Sequence, residues 1–105
     1  MLDTSLGKPA AGVPVSLRVC DGDDWRTLSE ARTDADGRVR DFSPAFTLTS
    51  TSYQLVFDTA AYFRSTSRVA FFERVTLEFT ITDASQHHHV PLLLTPFGYS
   101  TYRGS

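Results

Sequence analysis

A single cysteine, Cys20, stands in the whole chain, so no disulfide can close within it and the fold must rest on packing and hydrogen bonding. Alone, Cys20 reads as a small strand residue. Neither sign of charge dominates: 10 basic and 12 acidic side chains leave a formal net charge of -2, which gives no footprint for nucleic acid or an anionic membrane. No apolar run approaches the ~20 residues that a bilayer-spanning helix needs. The N-terminus also lacks the basic-then-apolar order of a signal peptide, so the chain reads as soluble and without an address. There is no G-x-S-x-G elbow, Gly-rich phosphate loop, H-E-x-x-H or C-x-x-C, which removes support for a nucleophilic serine, a nucleotide cradle or a dithiol pair. A length of 105 residues is that of one domain, spanning 1–105, and is long enough to bury a core unaided.

What the sequence does have is a period of two. Val13, Val15, Leu17 and Val19 alternate with Pro14, Ser16, Arg18 and Cys20, and Val75, Leu77, Phe79 and Ile81 alternate with Arg74, Thr76, Glu78 and Thr80. That is the pattern of strands with one face on a core. Tyr53, Leu55 and Phe57 mark a third strand, and Trp25 to Thr33 a fourth with less regular alternation. Turn chemistry separates them at Asp21-Gly22-Asp23-Asp24 and at Asp34-Ala35-Asp36-Gly37, where Asp-Gly suits positive φ. The rhythm breaks at Asp58 to Phe63, with Asp58 placed to cap two turns of helix. Short strands with turns between them predict an all-β antiparallel sandwich with one short helix.

The three histidines stand in one row, His87-His88-His89, followed by Val-Pro-Leu-Leu-Leu. If residues 87–94 form a strand, His87, His89, Pro91 and Leu93 share one face, and His88, Val90, Leu92 and Leu94 share the core face. The odd face is too apolar to be simply solvated, so it is expected to lie against another subunit. Pro96-Phe97-Gly98 turns the chain, and Tyr99 to Arg103 can return antiparallel, with Ser100 and Tyr102 on one face and Thr101 and Arg103 on the other. Two imidazoles on one face, without a cysteine or a carboxylate at ligand spacing, fall short of a zinc site, so no metal and no cofactor is expected. His87 and His88 can both be polar strand-end residues. His89 sits where its face turns apolar, and imidazole is the side chain that can take and return a proton near neutrality. Arg38, set by the Asp36-Gly37 turn, and Arg103 can supply fixed positive charge to an anion or a developing oxyanion. Arg18, Arg26, Arg64 and Arg74 read as surface residues.

The stretch from His87 to Ser105 resembles the signature of the 5-hydroxyisourate hydrolases, transthyretin-like enzymes of purine breakdown, whose chains end on Tyr-Arg-Gly-Ser after a His-x-His-Val-Pro-Leu-Leu-Leu strand. Leu2 to Ala10 is similar to that family's opening motif, Thr33 to Arg38 to its Asp-Gly-Arg turn, and Phe57 to Phe63 to its strand-to-helix corner. The resemblance implies a transthyretin-like sandwich of seven to eight strands. It also implies a homotetramer, a dimer of dimers whose active sites lie in the channel between dimers and are walled by the odd face of the histidine strand. The implied reaction is hydrolysis of 5-hydroxyisourate to 2-oxo-4-hydroxy-4-carboxy-5-ureidoimidazoline. By position, His89 and Arg38 match catalytic residues, and His87, Tyr102, Arg103, Gly104 and Ser105 match substrate-binding ones. The implied compartment is the cytoplasm in a bacterium or the peroxisome in a eukaryote. The family's opening motif reads His-Val-Leu-Asp with a catalytic histidine, and Met1 stands at the valine's place. Because most other motif positions are present, the expectation is a sequence that begins a little late rather than a depleted member. His88 stands where the family commonly has tyrosine, and Glu73 where it commonly has proline. Two other readings stay open: a transthyretin-type carrier that binds a small aromatic ligand in the same channel, and a structural sandwich that only oligomerises.

Overall fold

In a computed structural model describing residues 1–105, the chain forms eight strands and one helix. The strands are β1 (Leu2–Asp3), β2 (Lys8–Pro9), β3 (Pro14–Asp21), β4 (Asp24–Arg32), β5 (Ser52–Phe57), β6 (Val75–Thr80), β7 (Leu92–Thr95) and β8 (Gly98–Thr101), and the helix is α1 (Thr59–Ser65). They make two four-stranded sheets, ordered β2-β1-β7-β8 and β4-β3-β5-β6, whose inner faces meet as a sandwich. All pairings are antiparallel except one, since β1 runs parallel to β7 with Leu2 opposite Leu93 and Asp3 opposite Leu94.

The alternation read from the sequence is realised in β3 and β6. Val15, Leu17, Val19, Val75 and Leu77 are buried while their even-numbered neighbours face outward. Each such side chain removed from water contributes about 2 kcal/mol, so a shared dry face fixes the register of both strands. The less regular segment proves to be β4, the longest strand at nine residues. Its pairing with β3 along its whole length, through a bulge at Leu17/Arg18, supports it. Its inward position Ser29 is polar yet buried, with its hydroxyl donating to the Pro44 carbonyl at 2.7 Å, so hydrophobicity alone underrates it. The helix begins where expected, with the Asp58 carboxylate accepting from the Ala61 N–H at 3.0 Å, and it buries Tyr62 and Phe63.

The expected strand over residues 87–94 is shorter than its pattern. Regular pairing covers only Leu92–Thr95, and His89 is held by an isolated bridge to Gly104. Pro91 has no N–H to donate, and the parallel partner reaches only Leu93 and Leu94, so the segment before β7 has ladder support on one side at most. Its parity nevertheless holds: Leu92 and Leu94 are fully buried, whereas His87 and His89 are exposed.

Asp3 is a charged residue with no exposed surface. The Arg68 guanidinium lies 2.5 Å from its Oδ2, the Tyr62 hydroxyl donates to the same oxygen at 2.7 Å, and the Ser5 hydroxyl donates to Oδ1 at 2.6 Å. Burial alone would raise this carboxyl, but the Arg68 guanidinium foremost, then the Ser5 and Tyr62 hydroxyls, hold it well below the usual carboxylate range. The same burial, and the carboxylate beside it, push the Tyr62 phenol up. The cluster ties β1 to the helix and the segment after it.

Candidate functional site

Thr33 anchors the turn that carries the candidate arginine. Its buried hydroxyl donates to the Ala10 carbonyl at 2.7 Å and accepts from the Val13 N–H at 2.9 Å. The Asp34 carboxylate then accepts from the Asp36 and Arg38 N–H groups at 2.9 and 3.0 Å, and the Asp34 N–H donates to the Arg38 carbonyl at 2.8 Å. These bonds, the one from Arg38 first, hold the Asp34 carboxyl below its usual range. Gly37 closes the turn at φ 74°, and a Cβ there would overlap the Met1 carbonyl oxygen. Only glycine meets both demands.

The turn settles which arginine is free. Arg40 takes the nearby acids, with its Nε 3.0 Å from Asp34 and its Nη2 3.9 Å from Asp36. Arg38 makes no ion pair, unlike Arg26, Arg40 and Arg68. The Met1 amine donates to the Gly37 carbonyl at 2.6 Å. Burial foremost, and then the Arg38 charge, lower its pKa against an opposing effect of Asp34. Arg38 is therefore the cation of this turn that no carboxylate pairs.

A cavity of about 800 Å³ opens beside it, and its walls include Arg38, His87, His89 and Tyr102. Leu2, Pro91 and Leu93 continue the wall as an apolar surface. A smaller cleft of about 260 Å³ lies next to it, sharing His89 and Tyr102 and adding Arg103. Arg103 is thus not brought to the Arg38 wall; its Nη2 donates to the Gln86 carbonyl oxygen at 3.1 Å. Ser105 is exposed and lines neither space. His88 has the opposite parity, with its Nδ1 buried and without a partner, next to the exposed His87 and His89, yet it too borders both spaces.

Gly104 stands directly under the His89 ring. Its N–H donates to the His89 carbonyl at 2.8 Å, and a Cβ built on it would clash with the imidazole, closest to Nδ1. The glycine lets the tail backbone and the ring occupy neighbouring space, and so seats the His89 ring. Sequence reasoning missed this role, as it missed Gln86 and Arg68, because each depends on a partner distant in sequence. No three His, Cys, Asp or Glu side chains converge as a metal-ligand set, and no helix is long and apolar enough to cross a membrane. Chemically, the arrangement offers an imidazole with a fixed backbone, an unpaired guanidinium and a phenol around one open space. That combination is suited to moving a proton next to developing negative charge.

The sequence profile of the HIUase/Transthyretin family matches residues 1–104. A probable 5-hydroxyisourate hydrolase of Caenorhabditis elegans is 45% identical over 105 residues, covering 100% of this chain and 78% of the relative. Among solved structures, the 5-hydroxyisourate hydrolase of Klebsiella pneumoniae superposes with a TM-score of 0.83 at 42% identity, over 99% of this chain and 93% of that one. Sea bream transthyretin in complex with thyroxine gives a TM-score of 0.88 at 28% identity, over 98% and 89%. By profile, identity and fold, the chain belongs to the HIUase/transthyretin family.

Proposed function

We propose that this protein hydrolyses 5-hydroxyisourate, with His89 as the proton-transfer group and Arg38 as the electrostatic one. The observation that carries the reading is that His89, seated on Gly104, shares one cavity with the arginine of the Asp34–Arg38 turn that no carboxylate neutralises. Water adds to a carbonyl of the six-membered ring while His89 takes its proton. The oxygen of that carbonyl gains negative charge beside Arg38, where one well-placed donor is worth ~3 kcal/mol. Collapse of the adduct breaks the ring C–N bond, and the leaving nitrogen recovers the proton from His89, which balances the step and opens the ring. Tyr102 and His87 border the same cavity and serve as ring-contacting groups. Arg103 and Ser105 belong to the tail that encloses the site on the side of the smaller cleft.

The assembly in this reading is a homotetramer. The strands β6 and β8 each end a sheet, and Phe72, in the segment before β6, packs edge-on against Tyr99 of β8 with ring centroids 5.5 Å apart. Unpaired edges flanked by exposed Phe71 and Phe97 favour pairing with a second copy. The apolar surface at Leu2, Pro91 and Leu93 favours a further contact between dimers.

A carrier reading is favoured by one observation, the higher fold similarity to thyroxine-bound transthyretin, although identity runs the other way. Fold alone does not separate the two. Substrate generated in place by urate oxidase is expected to lose its absorbance faster with this protein than without it. Tight binding of an iodinated phenol with no acceleration of ring opening would replace hydrolysis by carriage.

A further inference from the structure

The Asp3 cluster is the most heavily bonded polar group in the molecule, yet the chemistry above does not use it. Its geometry leads to the site along the backbone. Asp3 lies two residues from Met1, whose carbonyl oxygen accepts from the Ala10 N–H at 3.2 Å and fills the space a side chain would take at Gly37. Gly37 and Arg38 belong to one hydrogen-bonded turn, so a shift of β1 along its axis is a shift of the surface on which that turn rests.

We propose that Arg68 is a positioning residue: by fixing the buried Asp3 carboxylate it fixes β1, and β1 braces the turn that holds Arg38 in the cavity. Arg68 is suited to the task. Its Nη2 bonds Asp3 and its Nη1 donates to the Ser5 hydroxyl at 2.8 Å. Its Nε donates to the Thr66 hydroxyl at 3.0 Å, and its guanidinium lies 4.9 Å from the Phe63 ring centroid. A planar fork held at three donors and one face has little freedom to follow a moving strand, so the strand follows it. The kinetic consequence rests on the hydrolase reading; the structural one does not.

Two measurements test it on the full chain. In the first, amide hydrogen exchange is followed by NMR in wild type and Arg68→Met. The probes are the Ala10 N–H, bonded to Met1, and the Asp34 N–H, bonded to Arg38, with amides of the β3–β5 ladder as the global reference. The brace requires local opening, so exchange at Ala10 and Asp34 should rise ~10-fold or more beyond any change in the ladder. A uniform change, or none, overturns the proposal. Should Arg68→Met be poorly folded, Arg68→Lys keeps a cation at Asp3 but loses the fork, and should show the same localised pattern at smaller amplitude. In the second, KM and kcat for ring opening are measured for Arg68→Met, Arg38→Leu and the double variant. If Arg68 acts through Arg38, its substitution lowers kcat ~10-fold with a smaller change in KM, and that loss disappears in the Arg38→Leu background. Fully additive effects overturn the coupling to Arg38. Absence of turnover in the wild type would fail the hydrolase reading instead and leave the exchange pattern to decide the brace.

Discussion

Substituting Gly104 by alanine tests the site with one methyl group. The Gly104 N–H is bonded to the His89 carbonyl, so the two backbones are pinned together, and the new Cβ would clash with the imidazole at Nδ1. Something must move, and the ring is the freer partner because His89 is exposed. Overpacking within a core costs 1–3 kcal/mol, and at this accessible tail the loss of stability should fall near the low end, ~1 kcal/mol. The functional cost is larger. A catalytic group misplaced by ~1 Å can lose ~100-fold in rate, so Gly104→Ala should lower kcat by about that factor while the protein unfolds cooperatively near the wild-type temperature.

Gly98→Ala supplies the matched control. A Cβ there meets only the Thr95 hydroxyl oxygen, at 3.7 Å, which is ordinary contact, and removing a glycine from a strand removes backbone freedom worth ~0.5–1 kcal/mol. That variant should keep full turnover with equal or better stability. The assay follows the disappearance of 5-hydroxyisourate made in place by urate oxidase, beside a thermal unfolding curve. If Gly104→Ala turns over at the wild-type rate, the imidazole does not work from the position described, and the assignment of His89 loses its geometric support.

His89→Asn should abolish turnover with little change in unfolding temperature, since an amide cannot shuttle a proton and general catalysis of this kind contributes ~100-fold or more. His88→Tyr should cost far less turnover than His89→Asn, because the His88 Nδ1 is buried with no partner to lose, even though the side chain borders both spaces. Asp3→Asn should flatten the acid limb of the stability curve. The Asp3 carboxyl is depressed in the folded state, so its contribution is complete above the ordinary carboxylate range near pH ~4 and fades as pH falls further. Urea unfolding from pH 6 down to 2 reads this directly, and parallel acid limbs in both proteins would contradict it. Leu93→Glu should break the proposed tetramer into dimers and remove activity with it, since it would bury an unpaired charge between subunits. Sedimentation velocity distinguishes that outcome from an intact, active tetramer, which would exclude the β7 face as the contact.

Much of the sandwich was legible because strands that share one dry face must alternate, and β3 and β6 do, whereas β5 buries the adjacent Val56 and Phe57. The capped helix was legible for a similarly local reason, since Asp58 bonds an amide three residues away. What stayed hidden is what long-range contact decides. Arg68 resembles any surface arginine until Asp3, 65 positions earlier, is placed at 2.5 Å from it. The true extent of β7 was hidden too, because its pattern runs on through Pro91 and the histidines while its partner strand does not. At the site, His89 stood out by residue type and neighbours, whereas spacing alone would not have picked out Arg38, which the resemblance supplied; the reason Arg38 is free, that Arg40 claims Asp34 and Asp36, needed the fold.

The division of labour within the last four residues follows from one register. The antiparallel pairing sets Leu92 opposite Thr101 and Leu93 opposite Ser100, and the bridge between His89 and Gly104 shows the same step continuing past the end of β8. Tyr102 then falls opposite Pro91 and shares the face of Leu93 and His89, whereas Arg103 falls opposite Val90 and takes the other. This register leaves Tyr102 bordering both the large cavity and the smaller cleft, and Arg103 only the cleft, with its Nη2 bonded to Gln86. It also accounts for glycine at the third position, since the residue opposite His89 must carry no side chain if the ring is to lie over the tail. The tail therefore works as a strand edge whose order is set by alternation. Four residues that look like a cluster in sequence are a phenol on one face, a cation on the other, a seat for the imidazole and an exposed terminus.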